Sequence, residues 1–367
     1  MTGKPTRRPR WLLGGQLALA ALVGGGLSAF TGLEIIWIIG GVAGGGLAYR
    51  VARRGWPDLS PSARARKLGQ ILVGAAIGPG LATQRLAAAP EQFAALAIGV
   101  LAILAGSLLV ARSYAAYGGV DATTAGMATL PGGLGIMPSV AAELGRPAGL
   151  VAIVQATRMT LVVVMVLAVL PFGARGGATP TRDLALLPGS TPAWGYAAAL
   201  LIGAFGAAWA ATRLRVPVPT LLGPLCFGCL LALGLRAGGV GAALLAAPHV
   251  QEIVGQVLLG VTVGEYLSQG WSGTRPALLG GVAGVLATCL LALALALAMR
   301  LIGRWPFLTC LLMVAPGGAP EMVVIAAATD SHLPLVLAAQ TGRQVLVNLL
   351  MPVWLRLFAR LDREGHS

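Results

Sequence analysis

Apolar residues in this chain run in long blocks, and polar residues collect in short clusters between them. Ten blocks, at about 11 to 32, 34 to 51, 68 to 86, 92 to 112, 147 to 172, 193 to 212, 217 to 235, 252 to 268, 276 to 302 and 333 to 358, approach membrane-crossing length. That length is roughly 20 residues for a helix. Helices are the expected form, because a spanning segment must satisfy its own backbone groups. Two further apolar segments, about 122 to 142 and 307 to 329, each contain a Pro-Gly-Gly and either cross completely or dip in and return. The pattern predicts an all-α membrane protein, a polytopic helical bundle of 10 to 12 spans.

The polar interruptions recur. Pro131-Gly132-Gly133, Met137, Gln155 and Arg158 reappear as Pro316-Gly317-Gly318, Met322, Gln340 and Arg343, all displaced by 185 positions. Gly69, Gln70, Gly74 and Gly78 return as Gly255, Gln256, Gly260 and Gly264, displaced by 186. The chain is therefore expected to consist of two homologous repeats, 11–172 and 193–360, joined by a linker at 173–192. Five crossings per repeat would invert the second copy, and six would leave it parallel. Gly74/Gly78 and Gly260/Gly264 are G-x-x-x-G pairs that let a neighbouring helix come close. Gly78-Pro79-Gly80 is expected to interrupt its helix as well.

Composition fixes the solvent. The chain is 57% hydrophobic and only 10% charged, with a mean hydropathy of +0.83, whereas soluble domains carry roughly 25% charged residues. A net charge of +14 would suggest nucleic acid in a soluble protein, but here the basic residues follow the spans. Lys4, Arg7, Arg8 and Arg10 precede the first block, Arg50 to Lys67 follow the second, and Arg356, Arg360 and Arg363 follow the last. The positive-inside rule puts these clusters, and both termini, in the cytoplasm of a multi-pass protein. No nucleic-acid partner is expected; the partner is the lipid bilayer. The first apolar block is read as a retained span, not a cleaved signal. Cys226 and Cys229 form a C-x-x-C inside a block and are expected to be buried apolar cysteines.

Chemistry is expected at the interruptions. A Pro-Gly-Gly at membrane depth frees backbone groups that hydrocarbon cannot satisfy, so it must face protein or a wet cavity. The helices that follow, from about Leu134 and Ala319, would offer positive N-termini to an anion. Arg158 and Arg343 lie near the middle of apolar blocks, where a charge costs ~2.5 to 3.5 kcal/mol on insertion scales. Gln155 and Gln340, three residues earlier, share a helix face with them. Guanidinium suits bidentate binding of carboxylate or phosphate. The candidate substrate-binding residues are thus Pro131, Gly132, Gly133, Gln155, Arg158, Pro316, Gly317, Gly318, Gln340 and Arg343. An internal ion pair is the competing use of the arginines. Glu265 and Glu321 are candidate proton-coupling residues, since burial raises a carboxyl pKa. Ile136 stands where the second copy has Glu321, so the copies are not chemically equivalent. His249, His332 and His366 are scattered without metal-ligand spacing, and no catalytic constellation is present, so no metal, cofactor or enzyme activity is assigned.

The repeated Pro-Gly-Gly followed by a Gln and Arg helix resembles the AbrB-type duplicated membrane proteins of Gram-negative bacteria. The likeness rests on Leu130 to Met137, Ala315 to Met322, the Arg158 and Arg343 helices and Leu221-Leu222-Gly223-Pro224. It implies a polytopic protein of the bacterial inner membrane, in a family whose members are labelled regulators of gene expression or ammonia monooxygenases. The residues favour a secondary transporter of a small anionic or polar metabolite. A membrane regulator acting indirectly on gene expression is the alternative. An oxygenase would need metal ligands that three scattered histidines do not supply. A homo-oligomer stays open.

Overall fold

The computed structural model describes residues 8–31, 36–82, 90–131, 136–173, 190–269, 274–303, 305–329 and 331–364. Gly132, Gly133, Leu134 and most of the 173–192 linker lie outside them. The described residues form fifteen α-helices and one 3-10 turn, with no strand among them. The helices are α1 (Arg10–Thr31), α2 (Ile36–Gly55), α3 (Ala63–Leu81), α4 (Pro90–Gly118), α5 (Ala122–Thr129), α6 (Met137–Glu143), α7 (Ala148–Gly173), α8 (Thr191–Arg213), α9 (Pro219–Ala237), α10 (His249–Leu267), α11 (Arg275–Gly303), α12 (Phe307–Val314), α13 (Ala319–Ala327), α14 (Leu333–Leu349) and α15 (Met351–Glu364).

Among the described residues six helices are long and apolar enough to cross a membrane, in α1, α4, α7, α8, α9 and α11. The bent pair α14 and α15, at 61°, makes a seventh. This is fewer than the ten to twelve expected, for a physical reason. Helices α2, α3 and α10 have the length, but glycines and the charges of Arg50, Arg53, Arg64, Arg66, Lys67, Glu252 and Glu265 dilute their apolar character. The block at 333 to 358 is not one straight helix, since α14 stops at Leu349 and Pro352 sits in the first turn of α15. Proline tolerates that position because the first-turn N–H groups have no intrahelical partner.

Two compact units result. One contains α1 to α3 with α8 to α10, and the other contains α4 to α7 with α11 to α15. Each unit draws helices from both halves of the sequence, so packing cuts across the 11–172 and 193–360 division.

In the first unit α2 packs on α1 and α10, α9 packs on α8 and α3, and α3 meets α10. Glycine sets the spacing. A Cβ on Gly260 would fall 2.1 Å from the Ile38 carbonyl oxygen, and one on Gly74 would fall 2.4 Å from that of Leu221. The helix α3 runs through Gly78-Pro79-Gly80 to Leu81 instead of breaking there. Proline lacks the N–H that would bond the Ala75 carbonyl, and that carbonyl faces Gly228 of α9, where a Cβ would sit 3.2 Å from it. Cys226 is exposed on α9, contrary to the buried state expected, while Cys229 is half-buried.

In the second unit α4 and α11 pack along their lengths, and Tyr114 of α4 donates to the Ala277 carbonyl at 2.7 Å. The short α12 is buried from Leu308 to Val314 among α4, α7, α11 and α14. The short α5 is covered by α4, α7 and α15. Its N-terminus is capped twice, because Asp121 accepts from Thr124 N at 2.8 Å and Asp362 of α15 accepts from Ala122 N at 2.5 Å. Phe358 of α15 is buried against Ala111 and Leu130, which ties the last helix to the first break.

Candidate functional site: two side-chain clamps on interrupted helices

An eight-residue helix is about 12 Å long, less than half of a ~30 Å hydrocarbon core. Both α5 and α12 stop at that length, and their last-turn carbonyls have no partner within the helix. Two side chains on the second helix after each supply the partners. From α7, Gln155 Nε2 donates to the carbonyls of Met127 at 2.7 Å and Leu130 at 3.1 Å. Arg158 Nη1 donates to Thr129 O at 3.1 Å and Leu130 O at 2.9 Å. Arg158 Nη2 donates to Gln155 Oε1 at 2.7 Å, which fixes which end of the amide meets which group.

The same arrangement recurs from α14. Gln340 Nε2 donates to Leu312 O at 2.6 Å and Ala315 O at 3.3 Å. Arg343 Nη1 donates to Ala315 O at 2.7 Å and Val314 O at 3.5 Å, and Nη2 donates to Gly317 O at 3.1 Å and to Gln340 Oε1. All four side chains are buried. A cation at the carbonyl end of a helix is also favoured by the helix dipole. The sequence points these residues at an anion beside a helix N-terminus; the structure seats them on the carbonyl ends of α5 and α12. The ion pairs among the described residues are Arg8 with Glu265, and Arg146 with Asp121 and Asp362. Neither membrane-buried arginine takes part, so the competing use as an internal ion pair is not what these residues form.

The second break is closely enclosed. Pro316 and Gly317 are buried, and α13 begins at Ala319 as the sequence predicts. A Cβ on Gly317 would lie 2.9 Å from Met322 Cε and 3.2 Å from Val162 Cγ1. One on Gly318 would lie 2.0 Å from Glu321 Oε2 and 2.7 Å from Met159 Cε. A side chain at either position would have to push these neighbours aside. The buried Glu321 thus occupies the first turn of α13, where a negative charge suits the helix dipole. In the first half α6 begins at Met137, the expected start near Leu134 lies outside the described residues, and the matching Ile136 is exposed. Sequence reasoning overlooked Met159 and Val162 of α7, which close on the second break while Gln155 and Arg158 of the same helix hold the first. Their spacing of one and four from Arg158 was the available signal, but two apolar residues in an apolar helix do not stand out.

Glu265 belongs to the other unit and is fully buried there. Its Oε1 accepts from Arg8 Nη1 at 2.9 Å and Gln16 Nε2 at 2.8 Å, and its Oε2 accepts from Ser62 N at 2.5 Å and Arg8 Nη2 at 3.2 Å. Four N–H donors, two of them on the Arg8 guanidinium, join the N-terminal segment, α1 and the start of α3 to the end of α10. The Arg8 side chain is about a third exposed, so solvent screens part of the loss when it is removed. Arg8→Ala is expected to destabilise the protein by about 2 kcal/mol, below the ~3–5 kcal/mol of a fully buried broken pair. Adding Glu265→Gln should recover part of that in a double-mutant cycle followed by unfolding in detergent.

Interrupted helices clamped by buried cationic side chains, in a chain with six or seven membrane-capable helices, define a multi-pass helical protein of the membrane type. The family described as "Transition state regulatory protein AbrB" matches residues 37–359, and the chain belongs to the AbrB family. It is 29% identical over 375 residues to "Uncharacterized protein YhjN" of Bacillus subtilis (strain 168), covering 95% of this chain and 93% of that protein.

Proposed function

We propose that this AbrB-family protein is a secondary transporter of a small anionic or polar metabolite, built from two homologous repeats and embedded in the bacterial inner membrane with cytoplasmic termini. The observation that carries the reading is the matched pair of Gln and Arg clamps on interrupted helices, Gln155 with Arg158 and Gln340 with Arg343. Transporters place such breaks in corresponding positions of two repeats, with polar groups gathered at the bilayer midplane. Both clamps and the Pro316-Gly317-Gly318 break fall in one unit, together with the buried Glu321.

Counterflow in proteoliposomes tests the reading. Arg158→Lys and Arg343→Lys retain charge but not the planar fork, and each is expected to lower the flux of a transported anion at least tenfold. Unchanged flux in both variants, with both folded, removes the clamps from the transport path. The family description favours a second reading, a membrane regulator whose effect on genes is indirect. A transcript change that survives in a folded, flux-deficient variant would support that reading instead.

A further inference from the structure

Helices α2 and α10 run in the same direction through the first unit, because Gly41 faces Val257 and Gly260, Gly45 faces Val261, and Gly46 faces Gly264 and Ser268. Their C-terminal ends therefore lie side by side. Beside this contact is a groove of about 290 Å³, whose lining comes entirely from α2, α10 and Ser268. Val42, Ala43, Leu47 and Leu267 make its inner part apolar, and Arg50 and Ser268 make its outer end polar. Eight residues of α2 separate Val42 from Arg50, a rise of about 12 Å. Glycine keeps the floor clear, since a Cβ on Gly46 would fall 3.1 Å from Ser268 Oγ and 3.2 Å from the Gly264 carbonyl oxygen. Ala43, Leu47 and Arg50 are exposed, so the groove is open along its length.

We propose that this groove binds one anionic phospholipid, with the phosphodiester on Arg50 and the Ser268 hydroxyl and an acyl chain laid along Val42, Ala43, Leu47 and Leu267. Charge selects the occupant. Arg50 forms no ion pair among the described residues, and the segment from Arg50 to Lys67 holds six basic residues against one acidic, Asp58. Such a segment sits at a membrane surface and attracts anionic headgroups. A guanidinium matches a phosphodiester in charge and in planar donor geometry. The carbonyl ends of two helices lie at the same level and disfavour an anion, so Arg50 must supply the attraction. The apolar inner part selects a lipid over free phosphate, because a small anion would leave it uncovered. A zwitterionic lipid would bring its own cation beside Arg50. The groove lies at the small end of the ~300–1,000 Å³ usual for ligand sites, so it takes part of one lipid while the remainder stays in the bilayer.

Thermal unfolding of the full-length protein in detergent, at constant ionic strength, tests this. Phosphatidylglycerol is compared at equal mole fraction with phosphatidylcholine of the same chains, and separately with glycerol phosphate and inorganic phosphate. Phosphatidylglycerol is expected to give a saturable rise in Tm that the other three do not. Arg50→Gln should raise the mole fraction needed for half the effect roughly fivefold or more. Arg54→Gln removes an exposed charge from the same end of α2 but not from the groove, and it should leave the response intact. Ala43→Trp keeps every charge and fills the inner groove from an exposed position, so it should also suppress the response. Equal stabilisation by phosphatidylcholine overturns the proposal, as does full stabilisation by either soluble phosphate. So does an undiminished response in Arg50→Gln or Ala43→Trp, or an equal loss in Arg54→Gln, which would mark a diffuse surface charge effect. No step involves flux, so the outcome is independent of whether the protein transports.

Discussion

Arg343→Ala is expected to destabilise the protein by about 3 kcal/mol, the net of two opposed terms. Deleting the guanidinium removes a charge whose burial costs ~2.5 to 3.5 kcal/mol on insertion scales. It also strips Nη donors from the carbonyls of Val314, Ala315 and Gly317, of which only Ala315 keeps Gln340. A carbonyl left bare in hydrocarbon costs several kcal/mol, and two are left bare, so the orphaned backbone wins. Arg343→Lys should restore about half, because an ammonium reaches fewer of these acceptors. Arg343→Met is the informative control. It keeps apolar volume without donors and should be as damaging as alanine if capping is the cause. A neutral or stabilising Arg343→Met, read by reversible unfolding in detergent, would show that the break does not need the clamp.

Gly260→Val is the second large effect, expected at about 3 kcal/mol and at the upper end for overpacking. The added Cβ would meet the Ile38 carbonyl oxygen at 2.1 Å and the Gly41 Cα at 2.9 Å. Both are backbone, so no rotamer change relieves the clash, and α2 and α10 must separate. Gly41 faces the Val257 carbonyl oxygen at 2.4 Å in the same contact, so Gly41→Val should not rescue it. By contrast Gly14→Ala, with nothing within 4 Å of the new methyl, is expected to be neutral or slightly stabilising, as alanine outranks glycine in a helix. Equal effects at Gly260 and Gly14 would remove the close-packing account.

Much of the site is legible in the amino-acid sequence because hydrocarbon punishes polarity. Arg158, Arg343, Gln155 and Gln340 stand out as polar residues at mid-helix, and each forms a buried clamp. What they bind is not legible. Side-chain direction across to α5 or α12 is a tertiary relation, and spacing along the chain points the pairs at a cavity instead. Glu265 shows the same gap. Its burial follows from an apolar helix, but its partner Arg8 lies 257 positions away in a segment that reads as an ordinary basic terminus.

Sequence alone determined that this is a helical membrane protein, since 57% hydrophobic residues in helix-length blocks admit no other stable solvent. It also marked Pro316-Gly317-Gly318, which falls in the gap between α12 and α13, because proline and glycine weaken a helix through local backbone chemistry. Only the tertiary structure decided that each unit takes helices from both halves. It decided as well that α3 passes through its proline while α14 and α15 bend, and that both buried arginines seat on the carbonyl ends of short helices. The physical reason is common to all three. Whether a backbone or side-chain polar group is satisfied depends on what another helix brings within hydrogen-bond reach, and sequence spacing fixes distance only along one helix.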